Sequence, residues 1–283
     1  MAQSQQSSPD TILFIHGLWM TPRSWEKWKE RYESRGYKVL APSWPGLEGE
    51  VEALNADPTP LTQLNVDKIV DHYQTIIRGL DSRPVVIGHS LGGTLMQLLL
   101  ARDLAAAGVG VAPGTVRGVP DLPFSTIRAG RPVLGRPFNR GNASPLNEKQ
   151  FHYAFCNTMS QEESNKIRDR YHVPAANRVL AEVAYATITR NKSVTVDFDK
   201  PRAPMLSIAY EHDHIIPPKV ARHNAEKYSK SKSVTAFCEF PDRPHFPGAP
   251  GWEEVADYAL TWVEEHTGER AEDKAEGEHA STS

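Results

Sequence analysis

The chain has few of the features that mark secreted, membrane or metal-binding proteins. It contains only two cysteines, Cys156 and Cys238, far apart and without CxxC spacing. This argues against a structural zinc site and favours a reducing compartment with two free thiols. The longest apolar stretch, after Ser90, is too short to span a bilayer. The first ten residues lack the apolar core of a secretory signal, so we expect a cytoplasmic protein without integral membrane association.

No charge of one sign dominates the sequence. The 32 Lys and Arg residues are spread along the chain against 35 Asp and Glu residues, for a formal net charge of −3. This balance gives no electrostatic reason to expect nucleic acid or an anionic membrane as a partner. The length of 283 residues allows one large α/β domain with an insertion, or two small domains.

Short β-branched segments alternate with amphipathic ones along most of the chain. The pattern predicts strands at 11–15, 36–40, 85–87, 108–119 (with a turn at 113–114), 205–210 and 234–240. It predicts helices at 22–35, 61–80, 217–228 and 252–265. Alternation of this kind is typical of a mainly parallel sheet flanked by helices. Residues 1–10 are polar, and we expect them to be disordered.

The alternation stops between about residues 121 and 191. Four prolines, at 120, 123, 132 and 137, predict a loop-rich beginning, and helical segments follow from 147 to 190. We expect this insertion to form a mostly helical cap. The predicted organisation is a core over 1–120, the cap over 121–191, the rest of the core over 192–267, and a disordered acidic tail over 268–283. The cap is rich in aromatic residues, most of which we expect to pack in its own core: Phe124, Phe138, Phe151, Tyr153, Phe155, Tyr171 and Tyr185.

The most informative segment is the run from residue 85 to 93, VVIGHSLGG. A short strand enters a Gly-x-Ser-x-Gly turn, and an apolar helix follows at once, which is the context of a nucleophile elbow. Gly88 and Gly92 lack side chains where backbones crowd, so the Ser90 hydroxyl projects from the end of the sheet. The alternative is a glycine-rich turn that merely ends a strand. The combination of strand, turn and helix favours the elbow.

A serine hydroxyl needs a base to remove its proton and an acid to orient that base. Asp213 follows the predicted strand at 205–210, and His245 follows the next strand, so both belong to the carboxyl edge of the sheet. Glu211 and Asp242 are alternative acids. For Asp242 we expect a solvent-facing position.

Four other histidines lie close to these segments. We expect His212 and His214 to stabilise the loop or to be exposed, and His89 to point away from the nucleophile. His16 has a structural interpretation, in which it fixes the loop after the first strand. A metal site at His212, Asp213 and His214 lacks a further ligand in the sequence, and we expect none there.

Acyl transfer also requires hydrogen-bond donors for an oxyanion. The backbone N–H of Leu91, next to the nucleophile, is one candidate. The other is the N–H of Leu18, in the loop where Gly17 permits close backbone approach. We expect substrate contacts from a set of apolar residues: Trp19, Met20, Phe124, Ile215 and Phe246.

Together these residues resemble the α/β-hydrolase superfamily, in particular its capped serine-esterase and lipase-like members of actinobacterial type. The resemblance rests on His16-Gly17, on the motif from Gly88 to Gly93, on the segment beginning at Asp213, and on Pro244-His245-Phe246. It implies an α/β-hydrolase fold, no cofactor and a Ser90–His245–Asp213 triad. Relatives that are haloalkane dehalogenases or epoxide hydrolases use an aspartate where Ser90 stands, so those activities are disfavoured.

The leading hypothesis is a serine hydrolase that cleaves a carboxylic ester of a small to medium, largely apolar substrate. A lactonase, thioesterase, carbon–carbon bond hydrolase or cofactor-free perhydrolase could use the same residues. A non-catalytic ligand-binding protein of this fold is a third hypothesis, which the filled triad positions disfavour. The sequence leaves the oligomeric state open.

Overall fold

A six-stranded sheet in which all neighbouring strands are parallel forms the centre of the protein. The computed structural model describes residues 9–135, 140–189 and 191–280. The strands are β1 (Thr11–Ile15), β2 (Lys38–Leu40), β3 (Val85–His89), β4 (Ala107–Val111), β5 (Ala143–Ser144), β6 (Ala175–Ala176), β7 (Met205–Tyr210) and β8 (Thr235–Phe240). The large sheet has the order β2-β1-β3-β4-β7-β8, and β5 pairs with β6 in a separate antiparallel ladder. The predicted sheet is therefore confirmed.

Helices cover both faces of the sheet and fill the segment between β4 and β7. They are α1 (Glu26–Glu33), α2 (Val51–Ala56), α3 (Val66–Arg78), α4 (Leu91–Ala101), α5 (Phe124–Leu134), α6 (Glu148–Phe155), α7 (Gln161–Tyr171), α8 (Asn177–Ala184), α9 (Ala186–Thr189), α10 (Pro218–Glu226) and α11 (Trp252–Ala280). We call the segment between β4 and β7 the insertion. It carries α5 to α9 and joins two strands that are neighbours in the sheet.

The two sides of the sheet belong to two separate apolar clusters. Along β1, Ile12 and Phe14 pack in the cluster that includes residues of α1 and α11, whereas Leu13 and Ile15 pack in the cluster that includes α3 and α4. All four side chains are almost fully buried. Successive side chains of a strand point to opposite faces, so a parallel sheet covered on both faces needs continuous apolar strands of this kind.

Two predicted elements differ from the structure. The strand expected over 108–119 ends at Val111, because Ala112 takes a positive φ of 45°. The chain then turns back to the elbow, where the Gly114 N–H donates to the backbone carbonyl oxygen of Ser90 at 2.7 Å. The loop expected around Pro132 is part of helix α5. Pro132 lies near the end of that helix, where the missing N–H costs one hydrogen bond, and burial of Ala129, Gly130 and Val133 stabilises the turn.

The two ends of the chain were both predicted to be disordered. The predicted disordered segment at the amino end falls largely on residues 1–8, which lie outside the described residues. At the other end, helix α11 continues to Ala280 through most of the segment expected to be a disordered tail. That segment is rich in Ala and Glu, which have high helix propensities. Residues 281–283 lie outside the described residues.

The composition predicted free thiols and no segment that spans a bilayer. Both cysteines are free, with Cys156 buried and Cys238 half-buried, and burial raises the pKa of each thiol to about 12. Among the helices of the described residues, none combines the length and the apolar character needed to cross a bilayer.

Candidate active site

Ser90 occupies a strained turn between β3 and α4. Its φ of 53° and ψ of −122° lie outside the regions that non-glycine residues usually adopt, which is a cost that local structure must offset. The glycines on either side permit the turn. A Cβ on Gly88 would lie 2.1 Å from the Gly92 oxygen, and a Cβ on Gly92 would lie 2.1 Å from the Ile15 oxygen. Both contacts are with backbone atoms, so only glycine fits at these two positions.

Asp213 and His245 form a buried pair at the carboxyl edge of neighbouring strands β7 and β8. The His245 Nδ1 lies 2.6 Å from the Asp213 Oδ2, and both side chains are fully buried. The other carboxylate oxygen accepts hydrogen bonds from the N–H groups of Ile215 at 2.7 Å and Ile216 at 2.8 Å. An ionised carboxylate only accepts, so the neutral His245 ring carries its proton on Nδ1 and leaves Nε2 as an acceptor.

The free nitrogen of this ring is enclosed next to the elbow. Within the described residues the His245 Nε2 is buried and has no hydrogen-bond partner, so no hydrogen bond joins it to the Ser90 hydroxyl. The ring lies 4.6 Å from that of His89, the residue before Ser90, and 5.1 Å from that of Phe155. A buried acceptor without a donor is costly and is a common mark of a reactive site.

The alternative acids and bases lie elsewhere. Glu211, His212 and Asp242 are all exposed, and their ligand atoms lie within 4.8 Å of one another at the surface. His214 is bound to the insertion, where its Nδ1 contacts the Tyr153 oxygen at 2.8 Å and its ring stacks on the Tyr153 ring at 4.3 Å. Of the three acidic side chains considered, Asp213 is the one that contacts His245.

Three contacts that the sequence did not indicate hold the loop that carries His245. The Trp28 indole donates to the Pro247 oxygen at 3.0 Å. The Phe246 N–H donates to the Phe155 oxygen in the insertion at 3.0 Å. The His89 Nε2 lies 2.8 Å from the His245 oxygen, so His89 faces this loop directly. Trp28 is a buried residue of α1, and its indole N–H reaches the loop.

The loop after β1 approaches Ser90 from the other side. A Cβ on Gly17 would lie 2.8 Å from the Ser90 Cβ, which shows how closely the two segments pack. Leu91 is the first residue of α4, so its N–H has no acceptor within the helix. Leu18 and Leu91 both line the cavity beside Ser90. Trp19 has a positive φ of 62°, and its indole donates to the Ser144 oxygen of the insertion at 3.1 Å.

His16 also contacts the loop after β1. Its Nδ1 lies 2.9 Å from the Gly17 oxygen, and its ring stacks on Trp44 with centroids 4.6 Å apart. Burial lowers the pKa of His16 to about 4, although the hydrogen bond to Gly17 opposes the change. His16 is therefore neutral at pH 7, as a structural residue in a dry position should be.

The cavity at Ser90 has a volume of about 150 Å³ and is lined mainly by apolar side chains. Its walls come from the β1 loop, the elbow, the loops after β4 and β7, and helices α5, α8 and α10, through residues that include Val116, Val119, Thr126, Ala129, Leu180, Val183, Ile216 and Val220. Among the described residues that line the cavity, Asp121 is the one with an ionisable carboxyl group, and it is paired with His223. A cavity of this size matches one that holds a benzene-sized ligand.

The expected substrate contacts fall into two groups. Trp19 and Ile215 line the cavity, whereas Met20, Phe124 and Phe246 do not. Met20 and Phe246 are buried in the core, and Phe124 is 77% exposed on the outer side of α5. Within the described residues no aromatic side chain of the insertion lines the cavity. Phe151, Phe155 and Tyr171 are buried, and Phe138 lies outside the described residues.

Solved structures of similar shape include several hydrolases of low sequence identity. An extracellular alpha/beta-hydrolase from a Paenibacillus species is 19% identical, with a TM-score of 0.67 over 89% of this chain and 98% of that one. A monoacylglycerol lipase from Paleococcus ferrophilus is 21% identical, with a TM-score of 0.61 over 92% of this chain and 96% of that one. A thermophilic esterase from Thermogutta terrifontis is 17% identical, with a TM-score of 0.61 over 90% of each chain.

At these identities the likeness shows the fold, which is the α/β-hydrolase fold with a helical insertion. The comparison with curated proteins found no match. The family model described as the alpha/beta hydrolase family matches residues 12–258, which covers every strand of the large sheet and the segments that carry Ser90, Asp213 and His245. The chain therefore belongs to the alpha/beta hydrolase family.

Proposed function

We propose that the protein is a serine hydrolase that cleaves carboxylic esters through an acyl-enzyme on Ser90. The observation that carries this proposal is the fully buried Asp213–His245 pair, whose free Nε2 has no partner in the described residues and lies next to the elbow. This nitrogen is therefore available to accept the proton of the Ser90 hydroxyl. In unliganded enzymes the hydrogen bond between base and nucleophile is often long and shortens only when substrate binds.

In the proposed reaction the His245 Nε2 accepts the proton of the Ser90 hydroxyl as its oxygen attacks the ester carbonyl. The N–H groups of Leu18 and Leu91 stabilise the oxyanion, and Asp213 stabilises the imidazolium. The imidazolium then donates its proton to the departing alcohol, which leaves the acyl-enzyme. In the second half His245 removes a proton from water, whose oxygen attacks the carbonyl of the acyl-enzyme. The imidazolium then returns this proton to the Ser90 oxygen as the carboxylic acid leaves, which regenerates the Ser90 hydroxyl.

The mainly apolar cavity supports a small, uncharged acyl or alcohol group of about benzene size as its occupant. The neighbours that are named a lipase and an esterase support ester cleavage as the reaction class. We also propose that residues 121–191, which lie within the insertion, act as a cap. They supply Ala129 of α5 and Leu180 of α8 to the cavity wall, so they would select the substrate.

The test is hydrolysis of p-nitrophenyl esters of increasing acyl length, with lactones and acyl thioesters as competing substrate classes. Ser90→Ala should abolish turnover and covalent labelling by a fluorophosphonate, whereas Ser34→Ala, which changes an exposed serine directly after helix α1, should leave both intact. Asp213→Asn should reduce kcat on the order of 10⁴-fold, because the amide favours the wrong histidine tautomer. Turnover that survives Ser90→Ala would refute the mechanism.

A further inference from the structure

We propose that His89 is a positioning residue that holds His245 in place for its reaction with Ser90. This inference rests on the proposed function, since it assigns His89 a role in the same site. His89 is fully buried and is the residue before the nucleophile, yet it makes its hydrogen bond to a residue 156 positions away. It touches neither substrate cavity nor solvent, so its contacts with His245 are what define its role.

The geometry joins the two histidines in two ways. The His89 Nε2 lies 2.8 Å from the backbone oxygen of His245. Because a carbonyl oxygen only accepts, Nε2 carries the proton of the neutral His89 ring. The two rings also pack at 4.6 Å with a tilt of 48°, and Trp25 holds the His89 ring from another side at 6.2 Å, edge to face. Both the main chain and the ring of the base are thus in contact with one side chain.

The remaining nitrogen of His89 does not explain why an imidazole stands at this position. The His89 Nδ1 is buried and has no hydrogen-bond partner within the described residues. A leucine or phenylalanine would fill this space without leaving such an acceptor unpaired, which normally costs about 1–3 kcal/mol. The imidazole is therefore better explained by what its other nitrogen does. That nitrogen ties the base to the residue that adjoins the nucleophile.

The charge state of His89 agrees with this role. Burial lowers the pKa of His89 well below its usual value, and the neighbouring His245 and His16 lower it further, against the opposing effect of the hydrogen bond to the His245 oxygen. His89 thus stays neutral while His245 becomes an imidazolium. The ionisable groups around it are His245, His16 and, through His245, Asp213. A second cation at this position would oppose the charge that forms on the base.

The hydrogen bond matters because it acts on the main chain of His245. Asp213 contacts the His245 ring at Nδ1, and Trp28 and Phe155 bind the next residues of the loop, whereas His89 binds the backbone oxygen of His245 itself. Without it the ring of the base can drift from Ser90. A misplacement of about 1 Å costs on the order of 10²-fold in rate.

The experiment compares His89→Gln with His89→Asn, because the glutamine amide nitrogen reaches about as far as Nε2 and the asparagine nitrogen does not. We expect His89→Gln to keep kcat within about threefold of the wild type. His89→Asn should lower kcat and the rate of fluorophosphonate labelling at Ser90 by at least about tenfold, with KM unchanged. Its acid limb of kcat/KM should move to higher pH, since water that enters the smaller side chain's space solvates the His245 cation.

His172→Asn is the matched control. His172 is also a buried neutral histidine, but its Nε2 accepts from the Leu146 N–H at 3.0 Å, away from His245. This variant should lower the melting temperature and leave the acid limb in place. The proposal is overturned if the two His89 variants have equal kcat and equal acid limbs, or if both merely lose stability as His172→Asn does. Should His89→Asn fail to fold, a folded His89→Gln that is tenfold slower overturns it as well.

A readout without turnover separates this inference from the proposed function. Histidine NMR reports the surroundings of the His245 ring whether or not the protein turns over a substrate. The ring resonances of His245 are assigned by comparison with His245→Ala. Both variants lose the neighbouring imidazole ring, whose centroid lies 4.6 Å away, so both should shift those resonances, and we expect the larger shift in His89→Asn. If the wild type lacks Ser90-dependent turnover, the proposed function fails, but equal shifts in the two variants are what would refute the role of the hydrogen bond.

Discussion

Replacement of Gly17 by alanine should impair the reaction more than it impairs the fold. The added Cβ would lie 2.8 Å from the Ser90 Cβ and 3.2 Å from both the His89 oxygen and the His89 Nδ1. Gly17 does not have a left-handed backbone conformation, so alanine adds no backbone strain there. The whole effect of the substitution comes from this contact with the elbow.

The size of the effect follows from the distances. An ordinary carbon–carbon contact begins at about 3.4 Å, so the β1 loop and the elbow must separate by about 0.6 Å. Backbone on both sides restricts this movement, and overpacking of this kind costs about 1–3 kcal/mol in unfolding free energy. The same displacement moves the Leu18 N–H relative to the Ser90 hydroxyl. We expect kcat/KM to fall about 10- to 100-fold.

The assay pairs urea unfolding with hydrolysis of a short p-nitrophenyl ester at a temperature where the variant is folded. Gly141→Ala is the control, because a Cβ on Gly141 meets nothing within 4 Å. It should change the unfolding free energy by less than about 0.5 kcal/mol and leave kcat/KM unaltered. Full activity in a folded Gly17→Ala protein would show that the close packing of loop and elbow does not set the reactive geometry.

Two further predictions concern stability. Burial lowers the pKa of His16 to about 4 and that of His172 to about 3, so below pH 6.5 the unfolded chain binds protons that the native protein does not. The unfolding free energy should therefore fall as pH drops from 6.5 toward 4, by about 1.4 kcal/mol per pH unit for each histidine, and a flat profile from urea titrations would contradict this. Gln97 accepts from Asn224 at 2.8 Å and Tyr228 at 3.0 Å, and Gln97→Leu should cost about 2–5 kcal/mol, because two buried donors lose their acceptor. Thermal and urea unfolding measure that cost, and a change below about 0.5 kcal/mol would refute it.

The sequence was sufficient to predict the parallel sheet, the elbow at Ser90 and the proximity of Asp213 to His245. Continuous β-branched segments predicted the parallel sheet, because strands buried on both faces must be apolar throughout. Gly88 and Gly92 predicted the elbow, since only glycine fits against the backbone atoms found there. Asp213 and His245 follow neighbouring strands, and parallel strands end at the same edge, so their approach to 2.6 Å could be anticipated.

Side-chain environments in the insertion could not be read in the same way. Phe124 was expected at the substrate, yet it is exposed, while the small residue Ala129 on the opposite side of the same helix lines the cavity. Which side of a short helix faces a cavity depends on how α5 packs on α8, and the pattern of residues does not encode that contact. Likewise the strand expected beyond Val111 stops because the chain bonds back to Ser90, a tertiary interaction.

Trp19 connects the insertion directly to the β1 loop beside Ser90. Its left-handed backbone sits between Leu18 and Met20, its indole is bonded to Ser144, and its carbonyl accepts from the Val173 N–H at 3.0 Å. Two distant parts of the insertion therefore form hydrogen bonds with Trp19, the residue next to Leu18. Exchange of this insertion for that of another member of the family would remove both contacts at once. A transplant here would have to carry its own partner for the Trp19 indole, or change this tryptophan together with the graft.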